Sequence, residues 1–184
     1  MQRVWKWAYL VLIGGSLALG GAILLVMVVL LAVGAHIEDE WPIFVVLAFL
    51  PLPVGALAML VLWYKMWAAI QDGHARTTPE KAILLLFIPI FNIYWAFQVL
   101  WGWAKDYNAY IARHGLTNAP KMPEGLFLAY LVLCFLGVFI LPALINFVVM
   151  LVMVWKICDG VNALPPTPAA AAPAPTPTPT PTPA

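Results

Sequence analysis

The chain has 184 residues, of which 64% are hydrophobic and only 9% carry a charged side chain. Soluble domains carry about 25% charged residues, so this composition excludes a soluble globular protein. It predicts an integral membrane protein whose first partner is the lipid bilayer. The net charge of +1 provides no basis for attracting nucleic acid, and we predict no nucleic-acid partner.

Four apolar runs predict an all-α integral membrane bundle of four transmembrane helices. A helix needs about 20 mainly apolar residues to cross the hydrocarbon core of a bilayer. Runs of that size occupy residues 8–33, 42–64, 82–104 and 126–155. Tryptophan and tyrosine flank the runs, as expected for side chains that anchor helices at the membrane surface. Together the runs define one predicted domain, residues 1–164.

The first run carries small residues at four-residue spacing. We predict that Gly14, Ser16 and Gly20 pack against another helix, because small side chains let two helices approach closely. The run is also longer than the apolar core of a typical signal peptide, about 7–15 residues. We therefore predict an uncleaved anchor, with cleavage near Ala35 as the alternative.

The distribution of lysine and arginine predicts the orientation. With four spans and a cytoplasmic N-terminus, most of these residues face the cytoplasm, and the acidic residues Glu38, Asp39 and Glu40 lie outside. Cytoplasmic segments are enriched in lysine and arginine. This favours both termini in the cytoplasm.

The third run contains Pro89 and Asn92, three residues apart, and further along Gln98. Proline removes a backbone hydrogen bond and predicts a kink. Asn92 lies near the middle of the run, where two roles are open. It hydrogen-bonds a neighbouring helix, or it caps a second half-helix that begins at Ile93.

A second topology for this run is a re-entrant hairpin that breaks near Pro89 and returns to the cytoplasm. It puts more lysine and arginine inside, leaving only Lys156 outside, which the charge distribution favours. Against it, each half-helix is short, and irregular backbone at membrane depth must be buried in protein or line water. We therefore predict a kinked span, with the hairpin as the alternative.

The fourth run repeats the pattern with Pro142 and Asn146, four residues apart. Helices three and four are consecutive, so their kinked faces are expected to pack with Asn92 and Asn146 as mutual partners. Hydrogen bonds between membrane helices contribute only about 0.6 kcal/mol on average. Such a pair would set register more than stability.

The function classes follow from what the runs contain. None carries Asp, Glu, Lys, Arg or His, although proton and ion pathways usually need such residues. We predict a non-enzymatic scaffold or accessory subunit that packs against a membrane-protein partner or a second copy of itself. The alternative is a small oligomeric transporter or channel built around helices 3 and 4, since broken helices form transporter sites.

No catalytic, cofactor or metal site is predicted. His36 stands beside the acidic residues of the first loop, but their charges also serve to keep that loop out of the bilayer. Cys134 and Cys158 are too far apart along one helix to be bridged. Residues 165–184, rich in proline, threonine and alanine, predict a disordered tail of polyproline II character.

The stretch from Trp67 to Gly115 resembles a family of small, uncharacterised bacterial membrane proteins. The shared features are ARTTP-x-KA, FIP-x-FN-x-YW and W-x-x-x-x-D-x-N. The stretch is also loosely similar to the bacterial membrane domains known as DUF4328. Glu80 and Leu84 stand where the first pattern has glycine. The resemblance implies a polytopic protein of the bacterial inner membrane and carries no activity.

Overall fold

The computed structural model describes residues 4–34, 39–136 and 140–165. Within these ranges every regular element is helical. Three helices are long and apolar enough to cross a membrane: α1 (Lys6–Ala32), α2 (Trp41–Ala68) and the greater part of the last helix (Leu141–Ala163). The chain is therefore an all-α protein of membrane-protein character. His36 and the predicted tail from residue 166 onward lie outside the described residues.

Helices α1 and α2 correspond to the first two predicted spans, and both contain irregular turns. In α1, residues Leu10–Gly14 form a π-helical turn. In α2, helix Trp41–Phe49 is followed by helix Leu52–Ala68, with Pro51 between them. A proline cannot donate the backbone hydrogen bond that an unbroken helix requires. Kinks were predicted only for helices 3 and 4, so this break in α2 was not predicted.

The third predicted span is not formed as one crossing helix. Helix α3 (Pro79–Leu84) continues into a 3₁₀ turn (Leu85–Phe87), and α4 (Phe91–Phe97) then runs back beside it. The Trp95 indole Nε1 donates to the Ala82 carbonyl at 3.1 Å, which joins the two limbs. Residues 79–97 thus form a helical hairpin that reverses near Pro89.

The reversal closes with local backbone hydrogen bonds. The amides of Ile88, Phe91 and Asn92 donate to the carbonyls of Leu85, Pro89 and Ile88 respectively. Ile90 has φ +66°, a conformation that residues other than glycine rarely adopt. The irregular stretch is therefore only a few residues long, and much of its backbone is satisfied internally.

A capping threonine and a first-turn proline begin α3. The Thr78 side chain accepts a hydrogen bond from the Lys81 amide at 3.4 Å, and Pro79 occupies the first turn. Proline there loses no intrahelical hydrogen bond, because the first amides of a helix have no partner within it.

The fourth predicted span, 126–155, is also not one helix. Helix α6 (Glu124–Leu136) and helix α7 (Ile140–Ala163) are antiparallel neighbours. Asn146 Nδ2 donates to Cys134 Sγ at 3.4 Å, across the pair. Pro142 lies in the first turn of α7, where a proline needs no kink. Between the two hairpins, residues Gln98–Gly102 form a π-helical turn that leads into α5 (Trp103–Arg113).

The first and last described segments, around Val4 and Asn162, meet beside several fully buried aromatic residues at one end of the molecule, which we call the basic end. The Val4 amide donates to Asn162 Oδ1, and Asn162 Nδ2 donates back to the Val4 carbonyl, both at 2.8 Å. The indole nitrogen of Trp103 donates to the Met66 carbonyl at 2.7 Å, and the Tyr107 hydroxyl donates to the Gly160 carbonyl at 3.2 Å. Trp103 and Tyr107 are completely buried.

All the lysines and arginines of the described residues lie at the basic end. Each is in the N-terminal stretch, at the end of α2, in a connector, or near the end of α5 or α7. They are Lys6, Lys65, Arg76, Lys81, Lys105, Arg113, Lys121 and Lys156. Asp39 and Glu40 precede α2 at the opposite end.

Candidate functional site

A cavity of about 660 Å³ opens beside the helical hairpin. Its walls come from α1, the second half of α2, both limbs of the hairpin, α6 and α7. Most of the lining is aliphatic or aromatic, and the lining residues that carry a polar group are Ser16, Trp63, Asn92 and Tyr130. The volume falls within the range of about 300–1,000 Å³ for small-molecule sites. This cavity is the candidate functional site.

Two of its polar groups differ in how they are satisfied. The Ser16 hydroxyl donates to the Ile13 carbonyl at 2.9 Å within its own helix. The Trp63 indole Nε1 is buried and has no hydrogen-bond partner among the described residues. An unpaired buried donor costs about 1–3 kcal/mol, so this indole nitrogen lowers the stability of the fold locally. The largely apolar lining suits an apolar molecule.

Asn92 lies on the cavity wall, but in neither predicted role. Helix α4 begins at Phe91 after Ile90, so Asn92 is inside the first turn and does not cap a half-helix. The predicted bond between Asn92 and Asn146 is not formed either, since the Asn146 amide donates to Cys134. The Asn146 Oδ1 atom is buried without a partner among the described residues.

The other predicted polar and proline positions lie apart from the cavity. Gln98 Oε1 accepts from Arg76 Nη1 at 3.1 Å, and its amide nitrogen donates to the Tyr94 hydroxyl at 3.2 Å. Pro89 is exposed at the tip of the hairpin, and Pro142 is half-buried at the start of α7. The five candidates therefore do not converge on one site.

The small residues of α1 lie against three different residues on two helices, α2 and α7. The Ser16 side chain lies against Gly55 of α2, where an added Cβ would overlap the Ser16 hydroxyl. A Cβ on Gly20 would come within 2.5 Å of the Ala48 carbonyl oxygen, and one on Gly14 within 2.7 Å of Leu151 Cδ2. Close approach to α2 and to α7 thus depends on these positions.

An ion-pair network that the sequence analysis did not single out holds the base of the hairpin. Arg76 donates through Nη2 to Asp106 Oδ1 at 2.6 Å and through Nε at 3.0 Å, and it also bonds Gln98. The hydrogen bonds from Arg76 to Asp106 raise the pKa of the guanidinium, although its partial burial acts in the opposite direction. We call Arg76, Gln98 and Asp106 the polar clamp.

The signal for the polar clamp was in the motifs themselves. Arg76 belongs to ARTTP and Asp106 to W-x-x-x-x-D-x-N. In the second motif, Asn108 also bridges segments: it donates to the Met122 carbonyl at 3.0 Å and accepts from the Met122 amide at 2.8 Å. These motif residues therefore stabilise the fold at the basic end by joining segments that are distant in sequence.

Asp72 forms a second polar centre at the basic end. It accepts hydrogen bonds from Arg113 Nη2 at 2.7 Å, from the His74 amide at 3.0 Å, and is 3.3 Å from His114 Nε2. Burial opposes ionisation of Asp72, but the hydrogen bonds from Arg113, His74 and His114 outweigh it and hold the pKa at about 2. The carboxylate is therefore charged at every physiological pH.

Comparisons of the chain with protein families, with curated proteins and with solved structures give no match.

Proposed function

We propose that the chain is a multi-pass protein of a bacterial inner membrane, with both termini and the whole basic end in the cytoplasm. The support is the position of the described lysines and arginines at one end, with Asp39 and Glu40 at the other. This is the asymmetry expected when the basic end is cytoplasmic. In this proposal α1 and α2 cross the membrane, and α6 and α7 form a second antiparallel pair.

The hairpin of α3 and α4 is proposed to enter the membrane from the cytoplasmic side and return to it. Its first limb, residues 79–87, extends about 13 Å at 1.5 Å per residue, less than half of a hydrocarbon core of about 30 Å. Its tip is strongly apolar, and Ile90 has 86% of its surface exposed. A tip of this kind is suited to lipid near the bilayer midplane.

The connector 114–123 decides between this topology and four uninterrupted spans. Four spans place it outside the cell, whereas the re-entrant hairpin places it in the cytoplasm. Asn118→Cys, in a Cys134→Ser background, is expected to react with a membrane-impermeant maleimide only after the cells are opened. Asp39→Cys is the matched control and is expected to react in intact cells. Labelling of position 118 in intact cells would contradict the hairpin topology.

We infer that the protein acts without catalysis, as a scaffold or accessory subunit that packs against another membrane protein. The observation that carries this proposal is the exposure of α1. Only 11% of its most apolar stretch is buried, against 28% for the last helix. Within the described residues, Leu25 and Val29 of α1 leave more than half of their surface exposed, so this surface is available to a second protein.

Affinity purification in a mild detergent tests the scaffold proposal. A tagged chain is expected to retain one membrane protein in fixed stoichiometry, and Val29→Trp is expected to release it because a large ring disturbs close helix packing. Leu57→Trp, at an exposed position of α2, is the control and is expected to retain the partner. Recovery of the chain as a lone monomer would contradict the proposal.

The second candidate is a small transporter or channel, possible only with an oligomer around the hairpins, and the cavity beside Asn92 favours it. Solute flux into proteoliposomes is the test. Asn92→Leu is expected to abolish flux if the cavity is part of the path, whereas Asn146→Leu, outside the cavity, is expected to preserve it. Equal loss in both variants would point to altered packing instead of a transport site.

A further inference from the structure

An apolar groove runs between α1 and α7, on a part of the surface separate from the cavity described above. Its volume is about 710 Å³. The floor on the α1 side is formed by small residues, Gly14, Gly15 and Ala18, and the opposite wall includes Phe147 and Leu151. A Cβ on Gly15 would meet no atom within 4 Å. The groove is thus open at Gly15 and narrow at Gly14, where a Cβ would come within 2.7 Å of Leu151 Cδ2.

The mouth of the groove lies at the basic end and has the composition of a membrane–water interface. Trp7 and Trp155 flank it, with ring centroids 5.2 Å apart in an edge-to-face arrangement. Tryptophan side chains are enriched at the level of lipid headgroups. The mouth is therefore placed where a headgroup would lie if the rest of the groove faces hydrocarbon.

The charge at this mouth is positive. Lys6 Nζ lies 4.1 Å from the centroid of the Trp155 ring and 3.1 Å from Asp159 Oδ1, so the acidic residue is already paired. Lys156, on the groove wall, is exposed and makes no ion pair with the described residues. The Lys156 ammonium is therefore available to an anionic ligand beside the two tryptophans.

We propose that this groove binds an anionic phospholipid of the leaflet at the basic end. One acyl chain lies along Gly15 and Ala18, which are exposed in the groove, and the phosphate is held by Lys156 beside the packed pair of tryptophans. The charge of Lys156 selects an anionic lipid over a zwitterionic one with the same acyl chains. The attraction of one lysine to an anionic membrane surface corresponds to about a fivefold change in affinity.

Native mass spectrometry of the full chain, released from detergent with defined lipids, tests this proposal. The probes are phosphatidylglycerol and phosphatidylcholine with identical acyl chains. The wild-type chain is expected to bind one phosphatidylglycerol about fivefold more tightly than phosphatidylcholine. Lys156→Gln is expected to remove the difference, and Lys81→Gln, an exposed lysine at the same end, to preserve it. Because binding is measured in detergent, the result does not depend on the sidedness proposed above.

A second pair of variants tests the groove itself. Gly15→Leu places a side chain in the groove at a position where a Cβ meets no atom within 4 Å, and it is expected to weaken binding of both lipids. Gly21→Leu is the matched control, because a Cβ at Gly21 also meets no atom within 4 Å and Gly21 does not line the groove. Equal affinity of the wild-type chain for both lipids, equal effects of the two lysine variants, or an unchanged Gly15→Leu protein would each overturn the proposal.

The competing occupant is a second copy of the chain. Ala18→Cys in the Cys134→Ser background is expected to remain monomeric under mild oxidation when lipid is present. Efficient disulfide formation between two copies through position 18 would show that protein fills the groove, and would overturn the lipid assignment.

Discussion

Arg76 fixes the course of an apolar segment from outside it. A straight helix over residues 82–104 would separate its ends by about 33 Å, yet Arg76, six residues before the segment, bonds Asp106, two residues after it, at 2.6 Å. The short contact and a straight helix are incompatible. A planar guanidinium also binds a carboxylate through two parallel bonds, which a lysine cannot reproduce.

Disruption of the polar clamp should loosen the base of the hairpin. Arg76→Lys is expected to lower the free energy of unfolding by about 1 kcal/mol, because the charge remains but the two-point geometry is lost. In a double-mutant cycle with Asp106→Asn, the two changes are expected to be non-additive by about 0.5–3 kcal/mol. Thermal unfolding in detergent measures both quantities. Lys121→Gln, an exposed lysine, is the control, and additive effects would argue against a direct interaction.

Asp72 predicts an acid-dependent loss of stability. Its pKa in the folded protein is about 2, below the value of about 3.9 for an unfolded aspartate. The stabilisation is therefore nearly complete above about pH 5 and is lost as the pH falls through about 4 toward 2. Asp72→Asn is expected to be less stable at pH 7 and to lose less stability across this window than the wild-type chain. The midpoint of thermal unfolding between pH 6 and pH 2.5 measures this, with Asp39→Asn as the control.

At the scale of elements, the length and apolar character of α1 and α2 follow directly from the sequence. An apolar run of about 20 residues can cross a bilayer as a single helix, in which the backbone hydrogen bonds are satisfied internally. The third and fourth runs are also apolar and long enough to span, yet they fold as hairpins. Their reversal is accompanied by side-chain contacts between residues distant in sequence: the Arg76–Asp106 pair flanks the third run, and the bond from Asn146 to Cys134 joins two parts of the fourth. Hydropathy contains no information about such contacts.

The residues of the candidate site could likewise be predicted only in part from the sequence. Asn92 was recognisable as a polar residue within an apolar run, and it does line the cavity. Its neighbours Ser16 and Trp63 come from α1 and α2, which sequence periodicity alone cannot bring beside it. Gln98 was grouped with Asn92 because both interrupt the same run, yet it bonds Arg76 at the basic end.

The packing of α1 on α2 makes a prediction about two neighbouring glycines. Gly20→Leu is expected to destabilise the protein by about 1–3 kcal/mol, because even its Cβ would lie 2.5 Å from the Ala48 carbonyl oxygen. Gly21→Leu, one residue along the same helix and in open space, is expected to change stability by less than about 0.5 kcal/mol. Unfolding in a denaturing detergent series compares the two. Equal effects would mean that helix propensity, not close approach, controls this region.

At the scale of the whole molecule, the proposed topology predicts a depth for the hairpin tip. Ile90→Cys, labelled with a fluorophore in the Cys134→Ser background, is expected to be quenched most strongly by lipids brominated deep in their acyl chains. Cys158 is completely buried and is not expected to react. A label at Asn118→Cys is the control and is expected to be quenched little at any depth. Shallow quenching at position 90 would place the hairpin along the membrane surface.

The gathering of both hairpin bases at the basic end has a consequence for biogenesis. In the proposed orientation, each hairpin enters the bilayer while the charged residues that flank it stay in the cytoplasm. The only charged sequence carried across is the short acidic stretch Glu38–Glu40 between α1 and α2. Once that first helical pair has inserted, the remaining chain requires no further translocation of a charged residue, and the later hairpins can partition from one side as closed units.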